Sequence, residues 1–303
     1  MRDLPAVRVV TDSTACLPGP GDLPADVLLP RELAPVVVPL HVVTDDTELR
    51  EGLDVRPADV AERIAAGERL TTSQPTTAEL TAAYGDLAAQ GARAVVSVHL
   101  SGKLSGTVET AERAGQRAML PVRVVDSRTA AMGLGFAADE AARCAAAGCD
   151  AAHVARRAAE VAASARTTFL VDSLDHLRRG GRLSAPAAAL GTALGVRPIL
   201  ALDDGGIDLV QRVRTRRASV ARLVAIALEQ VRTATRPAVA VHHLGAPDQA
   251  AEVADALAGR LGFTPVVTPV SAVLGAHVGP GALAVVVVDR GGHVHDLEPG
   301  GPW

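Results

Sequence analysis

The 303-residue sequence predicts an α/β protein of two domains, and three observations carry this prediction. Strand-like apolar runs alternate with helix-like runs through the first half, which is typical of a mostly parallel sheet covered by helices. The composition, 48% hydrophobic and 21% charged, provides enough apolar material for two cores. In the second half, Asp203-Asp204-Gly205-Gly206 separates two β-like runs, so the sheet of the second α/β domain is expected to be more antiparallel.

The elements of the first half follow from short Val-rich runs, which favour strands, and Ala-rich amphipathic runs, which favour helices. Pro75 stands near the start of the second helix, where its missing N–H costs nothing. We predict strands near 7–10, 36–43, 94–100 and 122–126, and helices near 57–66, 77–90, 107–118 and 130–147.

A helix from about Ala151 to Ala165 is expected to connect the halves, since Ala and Arg without Pro or Gly favour helix over a flexible linker. We divide the chain into domains at 1–165 and 166–290, followed by an extension at 291–303 rich in Gly, Pro and His. The later elements predicted are strands at 169–171, 198–202, 207–213, 238–242 and 283–288, and helices at 218–231 and 247–261.

Loops rich in hydroxyl groups follow several of these strands. In Ser101-Gly102-Lys103-Leu104-Ser105-Gly106-Thr107, glycines allow close approach of the backbone, while hydroxyls and the N–H groups of the next helix can donate to an anion. Similar loops occur at Thr11 to Thr14, Thr71 to Thr77 and Asp126-Ser127. Because such loops gather at one edge of an open α/β sheet, we expect them to line a site for a carboxylate or phosphate. The alternative is a set of ordinary turns capped by Ser or Thr.

Composition excludes several classes of protein. The net charge of −4 and pI near 6.1 give no case for a nucleic-acid partner. Aromatic residues make up only 2%, so a cavity walled by Ala, Val and Leu would suit a flexible aliphatic ligand. The sequence shows neither an apolar run of about 20 residues nor a signal-peptide pattern, which predicts a cytoplasmic protein. Cys16, Cys144 and Cys149 are expected to be idle thiols, without disulfide or metal spacing.

Eight short strings occur in an order that resembles the DegV family of bacterial fatty-acid-binding proteins, over residues 6–288. Each string is commonplace alone, and their order carries the resemblance. They are Val9-Val10-Thr11-Asp12-Ser13-Thr14, Val38-Pro39-Leu40, Thr72-Ser73-Gln74-Pro75, Ser101 to Thr107, Leu177-Arg178-Arg179-Gly180-Gly181-Arg182-Leu183-Ser184, Gly195-Val196-Arg197-Pro198-Ile199-Leu200, Arg212-Val213-Arg214 and Gly275-Ala276-His277-Val278-Gly279-Pro280-Gly281.

The resemblance implies a protein that encloses one long-chain fatty acid between its two domains. It assigns the carboxylate to Thr72, to Ser101 or Ser105, and to the region of His277, which is expected to lie in a Gly-rich loop at Gly275 to Gly281. The acyl tail would lie beneath the second domain, and no cofactor or metal is implied. The full set of candidate ligand-binding residues is Thr72, Ser73, Ser101, Ser105, Gly106, Thr107, His277, Gly279, Asp12, Ser13 and Ser127, of which Asp12, Ser13 and Ser127 could instead cap their loops.

The resemblance also implies a non-catalytic role, in which the bound fatty acid is presented to a separate ATP-dependent kinase subunit that makes an acyl phosphate. The basic residues Arg182, Arg212 and Arg214 could dock an acidic partner or touch lipid headgroups transiently, or they could form a solvated face. Lys103 departs from the family pattern and could pair with the carboxylate or point to solvent.

Elementary chemistry agrees with a lipid carrier. Uncharged hydroxyls and a histidine can hold a carboxylate without the desolvation cost of a fully buried ion pair. At about 0.8 kcal/mol per buried methylene, a tail of roughly fifteen methylenes offers on the order of 12 kcal/mol before ordering costs.

Three other classes of site have weaker support. A serine hydrolase using Ser105, or a phosphotransferase, would lack the G-x-S-x-G and P-loop motifs. Gly133-Leu134-Gly135-Phe136-Ala137-Ala138 mimics a dinucleotide motif but does not follow a strand directly. A metal site at His242, His243, His293 and His295 would lack metal-ligand spacing.

Overall fold

The computed structural model describes residues 4–19, 29–183 and 197–291. The predicted extension beyond residue 291, with His293 and His295, lies outside these residues. So do Ser184, which ends the string that starts at Leu177, and Gly195-Val196, which begin the next string. The strands are β1 (Val7–Asp12), β2 (Val36–Val38), β3 (His41–Val43), β4 (Glu48–Arg50), β5 (Thr71–Ser73), β6 (Ala94–His99), β7 (Val122–Asp126), β8 (Arg166–Leu170), β9 (Arg197–Asp203), β10 (Gly206–Val213), β11 (Pro237–His243), β12 (Val266–Pro269) and β13 (Leu283–Asp289). The helices are α1 (Pro57–Ala65), α2 (Thr77–Ala89), α3 (Thr107–Gly115), α4 (Met132–Ala146), α5 (Ala151–Ser164), α6 (Asp175–Arg179), α7 (Arg216–Val231), α8 (Pro247–Leu261) and α9 (Ala272–Val278).

A parallel sheet in the order β2-β1-β6-β7 forms the centre of the first half. Helices cover both faces, which is why β1 and β6 are nearly continuous buried apolar runs. On one face, Leu80 and Tyr84 of α2 and Ala111 of α3 pack against Val10 and Val95. On the other face lie α4 and α5.

The second half is built on a mixed sheet in the order β10-β9-β8-β13-β11-β12, in which only β11 and β12 pair in parallel. One face carries α7 and α8, and the other packs against α4 and α5 through Phe136 and Val161. Helices α4 and α5 are therefore a layer shared by the two sheets. The strands of the parallel sheet all precede residue 165, and those of the mixed sheet all follow it.

A small antiparallel sheet, β4-β3-β5, stands beside the parallel sheet. Helix α9 comes from the far end of the chain and packs against α1, β3 and β5. This packing brings residues near 72 and 277 together. Among the described residues, no helix has both the length and the apolar character to span a bilayer.

The predicted α/β class is confirmed, with a parallel sheet in the first half and a mostly antiparallel one in the second. The predicted hairpin is present, and Asp204 and Gly205 both have positive φ, as a tight hairpin turn requires. Three local predictions were wrong. The strand predicted at 36–43 divides at Pro39, because proline has no N–H to donate to a strand ladder. The loop predicted at Thr71 to Thr77 contains β5. The loop predicted at Gly275 to Gly281 contains the last four residues of α9.

Candidate functional site

A central cavity of about 350 Å³ lies between the two halves of the molecule. Its wall combines apolar side chains with a small polar group. The size falls within the range of pockets that enclose small ligands. The wall consists of Leu40, Thr72, Ser73, Gln74, Leu100, Leu104 and Ser105 from the first half, and Leu177, Arg182, Ile207, Val273, Leu274, His277 and Val278 from the second.

Thr72 and His277 form the polar centre of this cavity, with 2.8 Å between Thr72 Oγ1 and His277 Nε2. They lie 205 positions apart in the chain and meet because α9 packs beside β5. Burial, together with the positive charge of Arg182, lowers the pKa of His277 to about 4. The imidazole is therefore uncharged near neutral pH and offers hydrogen bonds rather than a positive charge.

Ser105 reaches the same cavity from the loop between β6 and α3. Its hydroxyl lies 2.9 Å from that of Thr107, which is buried in the first turn of α3. Gly106 precedes α3, and a Cβ there would lie 2.5 Å from Oε1 of Gln74. A larger residue at this position would require the side chain of Gln74 to move.

Arg182 is the only side chain with a full charge in the wall of the central cavity, as far as the described residues show. Its Nε donates to the carbonyl of Leu104 at 3.2 Å, which holds the guanidinium across the boundary between the halves. The sequence analysis proposed a docking surface or a solvated face for Arg182; in the structure Arg182 lines the cavity together with Thr72 and His277. Arg212 and Arg214 are exposed and do not line the cavity.

An outer cavity of about 200 Å³ adjoins the central one, and Thr72, Arg182 and His277 belong to both walls. Arg69 and Arg179, which are exposed, also line it. The polar centre therefore lies next to a basic opening at the surface of the protein.

An apolar cavity of about 80 Å³ also adjoins the central one, along a different part of its wall, and its own wall is almost wholly apolar. The shared wall residues are Leu104, Ile207, Leu274 and Val278. His242 borders this apolar cavity, but its Nε2 accepts from the backbone of Met132 at 3.2 Å and its Nδ1 donates to the carbonyl of Thr268 at 3.2 Å. Burial lowers its pKa to about 4. These bonds satisfy both ring nitrogens, which gives His242 a structural role.

Several residues predicted as ligand contacts have hydrogen-bond partners within the protein. Ser101 is buried, and its hydroxyl donates to the carbonyl of Gly205 at 2.8 Å, so Ser105 rather than Ser101 reaches the central cavity. The hydroxyl of Ser127 donates to the carbonyl of Thr129, while that of Ser13 accepts from the N–H of Leu40.

Asp12, Ser73 and Gly279 also have structural partners. Asp12 is fully buried and accepts hydrogen bonds from Thr14, His99 and the N–H of Leu100. Ser73 borders the central cavity, yet its hydroxyl donates to Glu48. Gly279 ends α9 with a φ of +78°, and a Cβ there would lie 2.6 Å from the ring of His176.

A buried hydrogen-bonded series resembles a catalytic triad in its order. Asp12 bonds to His99 at 3.0 Å, His99 to Ser97 at 2.7 Å, and Ser97 to the hydroxyl of Tyr84 at 2.9 Å. All four side chains are fully buried in the first half, so a substrate cannot reach them. The series stabilises the β1 and β6 ends and gives no support to a hydrolase.

The dinucleotide-like glycines lie inside a helix. Gly133 and Gly135 are buried in the first turns of α4, where a Cβ on Gly135 would lie 2.5 Å from the carbonyl of Ala15. The motif thus serves close helix packing and does not form the strand-to-helix turn that a dinucleotide needs.

Together, the fold and the site define a class: layered α/β proteins that enclose a ligand-sized cavity between a parallel and a mixed sheet. Within that class, the chain belongs to the DegV family, whose sequence model, described as "Uncharacterised protein, DegV family", matches residues 6–290. This confirms the resemblance seen in the sequence.

Individual relatives match almost end to end. A DegV domain-containing protein of Mycobacterium tuberculosis is 45% identical, over 93% of this chain and 96% of its own length. One from Streptomyces coelicolor is 42% identical, over 94% and 99%. Among solved structures, a fatty-acid-binding DegV family protein of Thermus thermophilus has a TM-score of 0.81 at 29% identity, and DegV of Bacillus subtilis, named a fatty acid binding protein, has a TM-score of 0.81 at 30% identity. Each comparison covers 93% of this chain and 99% of the other.

Proposed function

We propose that this protein binds one long-chain fatty acid and presents its carboxylate to an ATP-dependent fatty-acid kinase, which forms the acyl phosphate. The observation that carries the proposal is the central cavity, which has a polar centre at Thr72 and His277 and adjoins an almost wholly apolar cavity. The two solved relatives named as fatty-acid-binding proteins have the same fold, which supports this reading.

The polar centre suits a carboxylate head. The hydroxyls of Thr72 and Ser105 can donate to its oxygens, and the uncharged His277 can donate from Nε2 if its proton lies there. Arg182 adds a positive charge in the same wall, and charge-assisted hydrogen bonds are roughly twice as strong as neutral ones. The tail would then follow Leu104, Ile207 and Leu274 toward the apolar cavity.

The outer cavity explains how a partner would reach the head group. Thr72, Arg182 and His277 line both the central cavity and this basic opening, so the carboxylate end would lie next to the opening. We infer a non-catalytic cytoplasmic protein, in which the kinase supplies ATP and the chemistry. Its exposed arginines, Arg212 and Arg214 among them, are available for docking or for transient contact with a membrane surface.

Mass spectrometry of an organic extract of the purified protein tests ligand binding. We expect one fatty acid per chain in the wild type and a loss of most of it in the double variant Thr72→Ala, Ser105→Ala, because both head-group hydroxyls are removed. Ser127→Ala is the matched control, since its hydroxyl bonds to Thr129 away from the cavity. A wild type that stays empty after incubation with mixed fatty acids would refute the carrier role.

The loaded protein, incubated with ATP and a bacterial fatty-acid kinase, tests presentation separately. We expect acyl phosphate only when kinase, ATP and loaded protein are all present. If the protein binds fatty acid but the kinase phosphorylates free fatty acid equally well, binding stands and presentation fails.

A further inference from the structure

The hairpin between α4 and α5 brings together three side chains that commonly bind metals. Cys144 lies in the last turn of α4, Cys149 in the connecting turn and His153 in the first turn of α5. One ligand atom from each, two sulfurs and a ring nitrogen, all lie within 4.8 Å of one another. The site is roughly 18 Å along α4 from Met132, at about 1.5 Å per residue, and the residue before Met132, Ala131, lines the apolar cavity.

The imidazole of His153 provides a second, independent observation. Its Nε2 is buried and makes no hydrogen bond with any described residue. A buried polar atom without a partner costs about 1–3 kcal/mol, and native proteins rarely leave one without a reason. A bound cation would satisfy this nitrogen.

We propose that Cys144, Cys149 and His153 bind one Zn²⁺ ion, with a fourth position open to solvent. Two thiolates and one imidazole are a ligand set that Zn²⁺ favours, and the thiolates exclude hard cations such as Mg²⁺ and Ca²⁺. Four residues separate the two cysteines, which is the upper limit of the C-x₂₋₄-C spacing of zinc sites, so the expectation of idle thiols without metal spacing was too strict. Two thiolates also balance the charge of the dication, so the loaded site is neutral.

The turn that carries these ligands is already fixed. The N–H of Cys149 donates to the carbonyl of Cys144 at 3.1 Å, which closes the end of α4. The carboxylate of Asp150 accepts from the N–H of His153 at 2.8 Å and caps α5. Little chain entropy therefore remains to be lost when a metal binds.

Binding of the ion requires the loss of one proton from each thiol and of one hydrogen bond to His153. Burial and the neighbouring Cys149 raise the pKa of Cys144, so Zn²⁺ has to displace a proton from each thiol. Arg156 donates to Nδ1 of His153 at 3.0 Å, which leaves the proton on Nε2 in the neutral ring. The side chain of Arg156 is 45% exposed, so its hydrogen bond to Nδ1 can break at little cost. The ring proton can then move to Nδ1, which leaves Nε2 free to bind the metal.

The fourth coordination position is expected to face solvent. Cys144 is buried, whereas Cys149 and His153 are partly exposed, so these two ligands lie on the outer side of the cluster. A water molecule, or a donor atom from another molecule, would complete the tetrahedron.

Zinc competition titrations test the site. Protein kept reduced with a phosphine and stripped of metal is titrated with Zn²⁺ against a chromogenic chelator, and Co²⁺ absorption reports thiolate ligation. We expect one Zn²⁺ per chain, an affinity that rises with pH, and at least about tenfold weaker binding in Cys149→Ser and in His153→Gln. Cys16→Ala is the matched control, since it removes one of the three thiols but leaves the cluster intact.

Both ligand variants change partly exposed side chains, and circular dichroism checks that they fold. A wild type that binds Zn²⁺ no more tightly than Cys149→Ser overturns the proposal. So does a Co²⁺ complex without thiolate-to-metal charge-transfer absorption. Fatty-acid content, measured on the same samples, should not change, because the cluster does not line the central cavity.

Discussion

The carboxyl group of Glu51 is buried where the small sheet meets the first turn of α9, the helix that carries His277. It accepts a hydrogen bond from the N–H of Ala272, while its Oε2 has no partner among the described residues. Burial outweighs the hydrogen bonds from Ser13 and Ala272 and raises its pKa to about 7. A carboxyl group of this kind prefers to be protonated in the folded protein.

Replacing Glu51 by Gln should stabilise the protein at alkaline pH. A raised folded-state pKa stabilises the fold below the unfolded value, near 4.5, and this stability is lost as the pH rises through about 7. Urea unfolding at pH 8 should show Glu51→Gln more stable than the wild type by up to about 3 kcal/mol, with the difference vanishing near pH 4. Glu62→Gln, on the exposed face of α1, is the control. An identical change in both variants would contradict the argument.

Among the secondary-structure elements, the hairpin of β9 and β10 in the second half makes direct contacts with loops of the first half. Its turn residue Gly205 accepts a hydrogen bond from Ser101 at 2.8 Å. Asp204 pairs with Lys103 at 2.8 Å and with Arg128. The sequence analysis left two alternatives for Lys103, the ligand carboxylate or solvent; the side chain is 55% exposed and pairs with an acidic residue of the second half. Ile207, just beyond the turn, lines the central cavity.

Gly205→Ala should loosen this contact. Gly205 has a φ of +80°, and a Cβ there would lie 2.5 Å from Oγ of Ser101. Gly262→Ala is a matched control, with a φ of +76° and open space around it. We expect a loss of about 1 kcal/mol for Gly262→Ala from backbone strain alone, and of about 2–3 kcal/mol for Gly205→Ala, in urea unfolding. Stopped-flow release of a fluorescent fatty acid should be faster only in Gly205→Ala, and equal rates in the two variants would argue against a role of this hairpin contact in retaining the ligand.

Sequence reasoning located the helices and strands in which apolar residues recur with a clear period. It missed the elements that depend on tertiary contacts. The Val-rich strands and Ala-rich helices lie close to where their patterns predict. Helix α9 was taken for a loop, because glycines at 275 and 279 indicate turns while packing against α1 and β5 keeps the segment helical. Strands β4 and β12 and helix α6 are too short to show a period.

The candidate site was predictable in part. Thr72, Ser105 and His277 stand in strings that resemble the family, and the structure brings them to one cavity. Arg182 also stands in such a string, but the direction of a long side chain depends on tertiary packing. Cys144 and Cys149 have a spacing that zinc sites use, yet only the fold shows that His153 lies beside them.

Seen as a whole molecule, the cavity wall is divided between the halves, so a bound ligand touches both. Any ligand that binds only the folded protein stabilises it by mass action, by about 2.7 kcal/mol at a hundred times Kd. Stability and occupancy are therefore coupled in this architecture.

Delipidated wild-type protein should gain roughly this free energy of unfolding when palmitate is added at a hundred times its Kd. At the same palmitate concentration, Arg182→Gln should gain less, because the head group loses its charged partner. Arg212→Gln, which alters an exposed arginine away from the cavity, should behave like the wild type. Chemical unfolding with and without palmitate measures the difference, and equal gains in both arginine variants would contradict a role for Arg182 in the head site.

The pairing of Lys103 with Asp204 gives this chain a built-in handle for labelling chemistry. Lys103 is the only lysine in the sequence, and its side chain is 55% exposed. Apart from the terminal amine, Lys103 is the one amine to which an amine-reactive dye can attach, and it lies at the boundary between the halves. A fluorophore attached there would report changes at this boundary when a ligand binds, without any engineered residue.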